Sequence, residues 1–237
     1  MTLTETENIE NKGVNVIEIE GLVKNYTTKA GIVEVLKGIT LTVQKSEFLG
    51  IIGPSGSGKT TFMSLIGSLM RPTEGSIIIN GSNIGLLSKN QLADFRLKNI
   101  GFVFQSNNLV PTLTAIENVE VPLILAHVPA LERHTKALDL LKRVGLEKKA
   151  NNLPDELSGG ENHRISIARA MINNPELILA DEPTGNLDSM TGREIIHLLK
   201  DLTKQEKTIL VVSHDPTHLP EFDRVIKLVK GHIEEVN

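Results

Sequence analysis

Residues 51–62, IIGPSGSGKTTF, set three glycines and two serines between an apolar run and Lys59-Thr60-Thr61. Glycine inside an element costs stability, so a cluster of them needs a purpose. Either this is a plain surface turn, or the backbone there must come close to something negative. Gly53-Pro54-Ser55-Gly56-Ser57-Gly58-Lys59-Thr60 fits the pattern G-x-x-x-x-G-K-[ST]. Small residues let successive backbone N–H groups turn inward around phosphate oxygens, and the N-terminus of a following helix adds partial positive charge. Lys59 can then reach the β- and γ-phosphates, and the Thr60 hydroxyl can ligate Mg²⁺. An apolar strand-like run precedes the loop, and Phe62, Leu65, Ile66 and Leu69 follow it at helical spacing. The stretch therefore reads as a phosphate-binding turn, a feature that kinases, GTPases, motors and ATPases share.

The rest of the chain alternates strand-like and helix-like stretches. VNVIEIE from Val14 alternates apolar and polar residues, while GITLTV (38–43) and EFLGII (47–52) also read as strands. RPTEGSIIING turns at Pro/Gly and starts another short strand. Residues 91–150 are mainly helical in pattern, with interruptions expected at Pro111, Pro122 and Pro129. Leu131, Leu138, Leu141 and Gly145 line one face of a helix ending near Gly145. A further helix follows LSGG, with Ile165, Ala168 and Ile172 on one side, and stops at Pro175. ELILADEP and TILVVSHD read as buried strands on either side of the helix TGREIIHLLKDL, and DRVIKLVKGHIEEV closes as a hairpin. Such alternation predicts an α/β fold around a mostly parallel sheet, with the helical middle inserted into it. Residues 1–13 are polar and predict a flexible tail.

Three strand ends carry candidate chemistry. LILADEP runs an apolar strand into Asp181-Glu182, which is either a solvated acidic turn or a Mg²⁺-organising carboxylate beside a general base. VVSHD ends in His214, which could hold a γ-phosphate or an attacking water, although a lone histidine is more often structural. Gln105 follows IGFVF and could sense metal and water together, because an amide both donates and accepts. Beyond these, LSGGENHR (157–164) offers a second backbone anion site at a helix N-terminus, or simply an N-cap by Ser158. One domain holding one nucleotide has no evident need of two such sites, whereas a second copy of the domain would supply that need.

At these residues the chain resembles the ATP-binding subunit of an ABC transporter, over essentially all of residues 14–237. The matching elements come in the family's order: Tyr26 as the adenine-stacking aromatic, the glycine loop 53–60, and Gln105. LSGG at 157–160, the strand ending at Asp181, Glu182, the GNLD turn at 185–188 and His214 follow. The resemblance implies one nucleotide-binding domain, 14–237. It would comprise a P-loop NTPase core, an N-terminal antiparallel β-subdomain and an inserted α-helical subdomain at approximately 106–165. It also implies Mg²⁺-dependent ATP hydrolysis with Glu182, His214 and Lys59 catalytic. ATP would be bound by Tyr26, by 53–61 including Thr61, by Gln105, and by Ser158, Gly159, Gly160 and Glu161. The metal would be held by Thr60, Gln105 and Asp181. Partners would be a second ATP-binding subunit, taken as identical, and an integral membrane permease that holds this chain at the cytoplasmic face of the cell membrane. FVFQSNNLVPTLTAIENVEVPL, LADEPTGNLD and VVSHDP resemble, more narrowly, the lipoprotein-releasing and macrolide-exporting ATPases, a group that includes the cell-division ABC ATPase. Two departures are visible. Glu161-Asn162-His163 stand where many relatives carry three glutamines, and Ser46 stands where glycine is common.

Composition narrows the alternatives. A net charge of −4 with no basic stripe argues against wholesale nucleic-acid binding, and one tyrosine with no tryptophan argues against a stacking groove for single strands. The absence of cysteine removes disulfides, thiolate catalysis and Cys-type zinc sites. No apolar run approaches the ~20 residues that span a bilayer, and MTLTETENIENKG carries acids where a signal peptide needs basic residues, so the chain reads as soluble. The same motifs would also serve a soluble ABC ATPase with an assembly or regulatory role and no transported substrate. The short separation of Lys59 and Ser158 in sequence argues against a coiled-coil DNA-repair ATPase, which needs room for a long coiled coil between them.

Overall fold

A computed structural model describes residues 14–29 and 31–236. The tail expected at residues 1–13 lies outside the described residues. Two sheets and six α-helices are present among the described residues. Strands β1 (Asn15–Thr28) and β2 (Gly31–Gln44) form a long antiparallel hairpin. Next come β3 (Phe48–Ile52), α1 (Lys59–Ile66), β4 (Glu74–Ile79), β5 (Ser82–Asn83) and α2 (Lys89–Asn99). β6 (Ile100–Phe104), α3 (Ala115–Leu125), α4 (Ala130–Arg143) and α5 (Gly159–Met171) make up the middle. The chain continues through β7 (Leu177–Asp181), α6 (Ser189–Thr203), β8 (Thr208–Val212), β9 (Arg224–Val229) and β10 (His232–Val236).

The first sheet has the order β2-β1-β4-β5 and is antiparallel; the second has the order β10-β9-β3-β8-β7-β6. In the second sheet every pairing among β6, β7, β8, β3 and β9 is parallel, and only β9–β10 is antiparallel. Its central strands are almost wholly apolar, as suits strands covered on both faces. Successive side chains of β7 go to opposite sides: Leu177 and Leu179 join a core with β1, β2, β4 and α1, while Ile178 and Ala180 join one with α3, α4, α5 and α6.

Three sequence expectations change. The β1–β2 hairpin runs well beyond 14–20 and 38–43, because register shifts between Ile19 and Leu22, around Gly21 with its positive φ, break the alternation without ending the strand. α3 continues through Pro122 instead of stopping there. The missing N–H costs one bond, but the next turn closes with the Ala126 N–H on the Pro122 carbonyl (3.0 Å). Leu131 is 82% exposed, because α4 meets the core only from Ala137 onward, at Leu140, Leu141 and Val144. No helix among the described residues is long and apolar enough to cross a membrane.

Candidate functional site

Pairing order, not sequence proximity, assembles the site. Ile51 of β3 lies opposite Val212 of β8, which in turn lies opposite Asp181 of β7. The loop after β3, the Asp181-Glu182 pair and the 213–215 segment therefore leave adjacent strand ends on the same edge, where open parallel sheets place their ligands. A cavity of about 440 Å³ sits there, lined by Gly53, Ser55, Gly56, Gly58, Lys59, Thr60, Thr61, Glu182 and His214. Val35 of β2 completes it. Nothing in the identity of Val35 marked it beforehand.

The loop backbone explains the glycines. A Cβ at Gly53 would lie 2.2 Å from the Leu228 carbonyl oxygen, so no side chain fits there. Gly58 is the N-cap of α1 with φ 105, and no side chain caps this helix. The first N–H groups of α1 thus keep their partial positive charge unmatched, as an anion site requires. Lys59 is 9% exposed and its Nζ donates to the carbonyls of Gly53 (2.8 Å) and Pro54 (3.0 Å). These bonds hold the ammonium group over the loop. The buried Ser57 hydroxyl has no hydrogen-bond partner among the described residues.

Asp181 lies behind this rim, close enough to Thr60 and Lys59 for both to favour its charged form. Burial pushes its pKa up, the neighbouring Glu182 charge adds to that, and Thr60 and Lys59 pull it back only in part. A half-buried carboxylate beside a second carboxylate and a hydroxyl is an all-oxygen donor set, which suits a hard divalent cation such as Mg²⁺. Glu182 adopts φ 48, an uncommon backbone for a residue with a long side chain, at a cost of about 1–2 kcal/mol. Its N–H donates to the Val212 carbonyl (3.0 Å), and the Gly185 N–H donates back to its own carbonyl (3.1 Å). This turn brings Glu182 Oε2 to 3.4 Å from His214 Nδ1.

Other expected residues are not gathered into the cavity. Tyr26 pairs with Val33, two residues along β2 from Val35, and is 37% exposed with its hydroxyl donating to Met70 Sδ (3.3 Å). Gln105 is exposed and packs on Gly185, where a Cβ would meet its Nε2 at 2.6 Å. Its main-chain carbonyl accepts from Asn186 Nδ2 (3.2 Å), and it does not line the cavity. Ser158 is the N-cap of α5. Its hydroxyl accepts from the Glu161 N–H (3.2 Å), and Glu161 Oε2 accepts from the Ser158 N–H (2.8 Å). That bond holds the Glu161 carboxyl below its ordinary pKa. None of Ser158, Gly159, Gly160 and Glu161 lines the cavity. Gly160 has a packing reason of its own, since a Cβ there would sit 2.6 Å from Thr191 Cγ2 at the start of α6.

The family model described as ABC transporter matches residues 36–185, a span that takes in the glycine loop, LSGG and the Asp181-Glu182 pair. The chain belongs to the ABC transporter family. As an ABC transporter ATP-binding cassette it is 45% identical, over 93% of its length and 94% of the relative's, to an uncharacterized ABC transporter ATP-binding protein of Thermotoga maritima. It is 45% identical to the ABC transporter ATP-binding protein MJ0796 of Methanocaldococcus jannaschii, over 92% of this chain and 95% of that one. A dimeric, post-hydrolysis structure of MJ0796 bound to ADP and Pi superposes with a TM-score of 0.85 at 42% identity, covering 93% of this cassette and 99% of that chain. The macrolide export ATP-binding/permease protein MacB of Brucella abortus is 44% identical over 93% of this cassette, which spans only 34% of that longer protein.

Proposed function

We propose that this cassette binds Mg-ATP in the cavity between β3, β7 and β8 and closes head to tail on a second cassette. Hydrolysis of the two sandwiched nucleotides then drives an integral membrane permease from its cytoplasmic side. The observation that carries this reading is the convergence of Lys59, Thr60, Asp181, Glu182 and His214 on one strand edge, with the LSGG turn left off that cavity. A helix N-terminus with no ligand in its own chain has a use if it meets the partner's γ-phosphate. The similarity to a dimeric cassette holding ADP and Pi supports the same arrangement.

Each group has a physical task. The loop N–H groups and Lys59 would hold the β- and γ-phosphates, with Nζ exchanging its two carbonyl partners for phosphate oxygens. Thr60 and Asp181 would hold Mg²⁺, which when bound supplies charge neutralisation at the phosphates; Gln105 would have to leave Gly185 to join them. Glu182 would orient and deprotonate the attacking water, and His214, 3.4 Å away, would hold that carboxylate and stabilise charge at the γ-phosphate. Tyr26 would stack on adenine beside β2. Across the dimer, Ser158 and the Gly159-Gly160 backbone would contact the γ-phosphate, with Glu161 directed to the ribose.

A groove of about 570 Å³ between α2, β6, α3 and α5 suits the permease. Phe102 and Phe104 stack at its floor, and Leu69 and Leu125 stand half-exposed or more at its rim. Arg169 of α5 lies in this groove and donates to the carbonyls of Asn107 (2.5 Å) and Asn108 (2.7 Å), just beyond Gln105. Through it, a shift of α5 reaches the segment after β6, so the helical region at approximately 106–165 would pass dimer closure to the membrane subunit. Replacement Glu182→Gln tests the catalytic assignment: ATP binding persists, turnover nearly vanishes and an ATP-bound dimer accumulates on size exclusion. Parental turnover in that variant would remove Glu182 from its role.

A further inference from the structure

His214 sits in the 213–215 segment, which has no regular structure, between β8 and the 3-10 turn Pro216–Glu221. Its side chain is 62% exposed, so packing around the imidazole does not fix where it points. The residues flanking it are held differently. Ser213 is 3% exposed, and its N–H donates to the Ile51 carbonyl at the end of β3 (3.1 Å). Its hydroxyl accepts from the Asp215 N–H (3.2 Å) and lies 3.2 Å from His218 Nδ1. His218 is also 3% exposed, with Nε2 at 3.6 Å from Asp215 Oδ2 and its own N–H on the Asp215 carbonyl (3.3 Å). The other Asp215 oxygen accepts from the N–H (2.8 Å) and the hydroxyl (2.7 Å) of Thr217.

A neutral His218 satisfies this triangle. The Ser213 O–H donates to Nδ1, the Asp215 N–H donates to Ser213 Oγ, and Nε2–H faces the Asp215 carboxylate. Burial holds the imidazole below its ordinary pKa, which keeps that neutral form. A leucine of similar size would fill the space and lose both polar links. We propose that His218 is a positioning residue for His214: through Ser213 and Asp215 it clamps the backbone on both sides of His214 and so keeps that imidazole within reach of Glu182. The inference rests on the proposed role of His214 in hydrolysis. It adds a residue that no sequence motif marks, buried one turn downstream.

The experiment measures ATP turnover and KM for His214→Ala, His218→Leu, the double variant, and His218→Asn. Displacing a reacting group by about 1 Å costs up to ~100-fold. His218→Leu is expected to lower kcat roughly ten- to a hundredfold with KM for ATP unchanged. The double variant should be no slower than His214→Ala alone, because the clamp acts only through that side chain. His218→Asn, whose amide can still accept from Ser213 and donate toward Asp215, should recover part of the loss. If His218→Leu does not fold, Ser213→Ala removes the hydroxyl link and carries the same comparison. Parental kcat in the folded clamp variant, or losses that multiply in the double variant, overturns the inference while leaving His214 in place. Full activity of His214→Ala instead removes the proposed role of His214, and the clamp with it.

Discussion

Gly101→Ala offers a sharp test of how α5 is seated. Gly101 lies in β6 opposite Ile178, and a Cβ added there would sit 2.4 Å from the Ala170 carbonyl oxygen and 3.2 Å from the Ala170 Cβ. Ordinary contact begins near 3.4 Å, so the last turn of α5 and β6 must separate by about 1 Å. Overpacking of this kind costs about 1–3 kcal/mol, and the gain of ~0.4–1 kcal/mol from stiffening the unfolded chain offsets only part of it. The expected net loss is about 1–2 kcal/mol, or roughly 2–8 °C in Tm for a chain of this size. Because α5 begins at the LSGG turn, the tilt should also slow hydrolysis by protein that remains folded. Gly192→Ala is the control. That glycine is inside α6, its added Cβ would only make ordinary contact with Thr184 Cβ at 3.4 Å, and alanine favours a helix by ~1 kcal/mol. Urea unfolding of the two variants should move in opposite directions. Equal midpoints for Gly101→Ala and the parent would refute the close seating of α5 on β6.

Two further outcomes follow from single residues. Ser46 has φ 63 in the turn between β2 and β3, a backbone that glycine adopts without steric cost, so Ser46→Gly should raise stability by up to about 1 kcal/mol in urea melts. Its main-chain bond to the Thr208 hydroxyl (3.0 Å) is untouched by the change. His163 is buried in α5, and desolvation lowers its pKa despite the Gly159 carbonyl at 3.1 Å from Nδ1. Below about pH 6.5 the unfolded chain therefore binds a proton that the folded chain resists, and stability falls as pH drops through that value. His163→Gln should flatten this loss between about pH 7.5 and 5.5, as read from urea midpoints at each pH.

Much of the site was legible because its signals are local. The spacing of Gly53, Gly58, Lys59 and Thr60 states a backbone geometry by itself, and Ser158 with Glu161 three residues on spells an N-terminal capping box. The apolar runs ending at Asp181 and Val212 marked buried strands for the same reason. Leu131 misled, because helical spacing tells which face is apolar and not how far the core extends along it. The second half of the β1–β2 hairpin was hidden by a bulge at Gly21, where period-two counting fails.

The elements and the groups able to meet phosphate can be read along the chain, because glycine spacing, capping residues and apolar periodicity act over a few neighbouring residues. Which strand ends lie side by side follows from long-range packing of the folded chain. That packing put Glu182 and His214 within 3.4 Å of each other, kept Gln105 on Gly185, and buried His218 against Ser213. Strand order is chosen by covering both faces of one sheet with distant segments of chain. The resulting contacts depend on packing that no local pattern records.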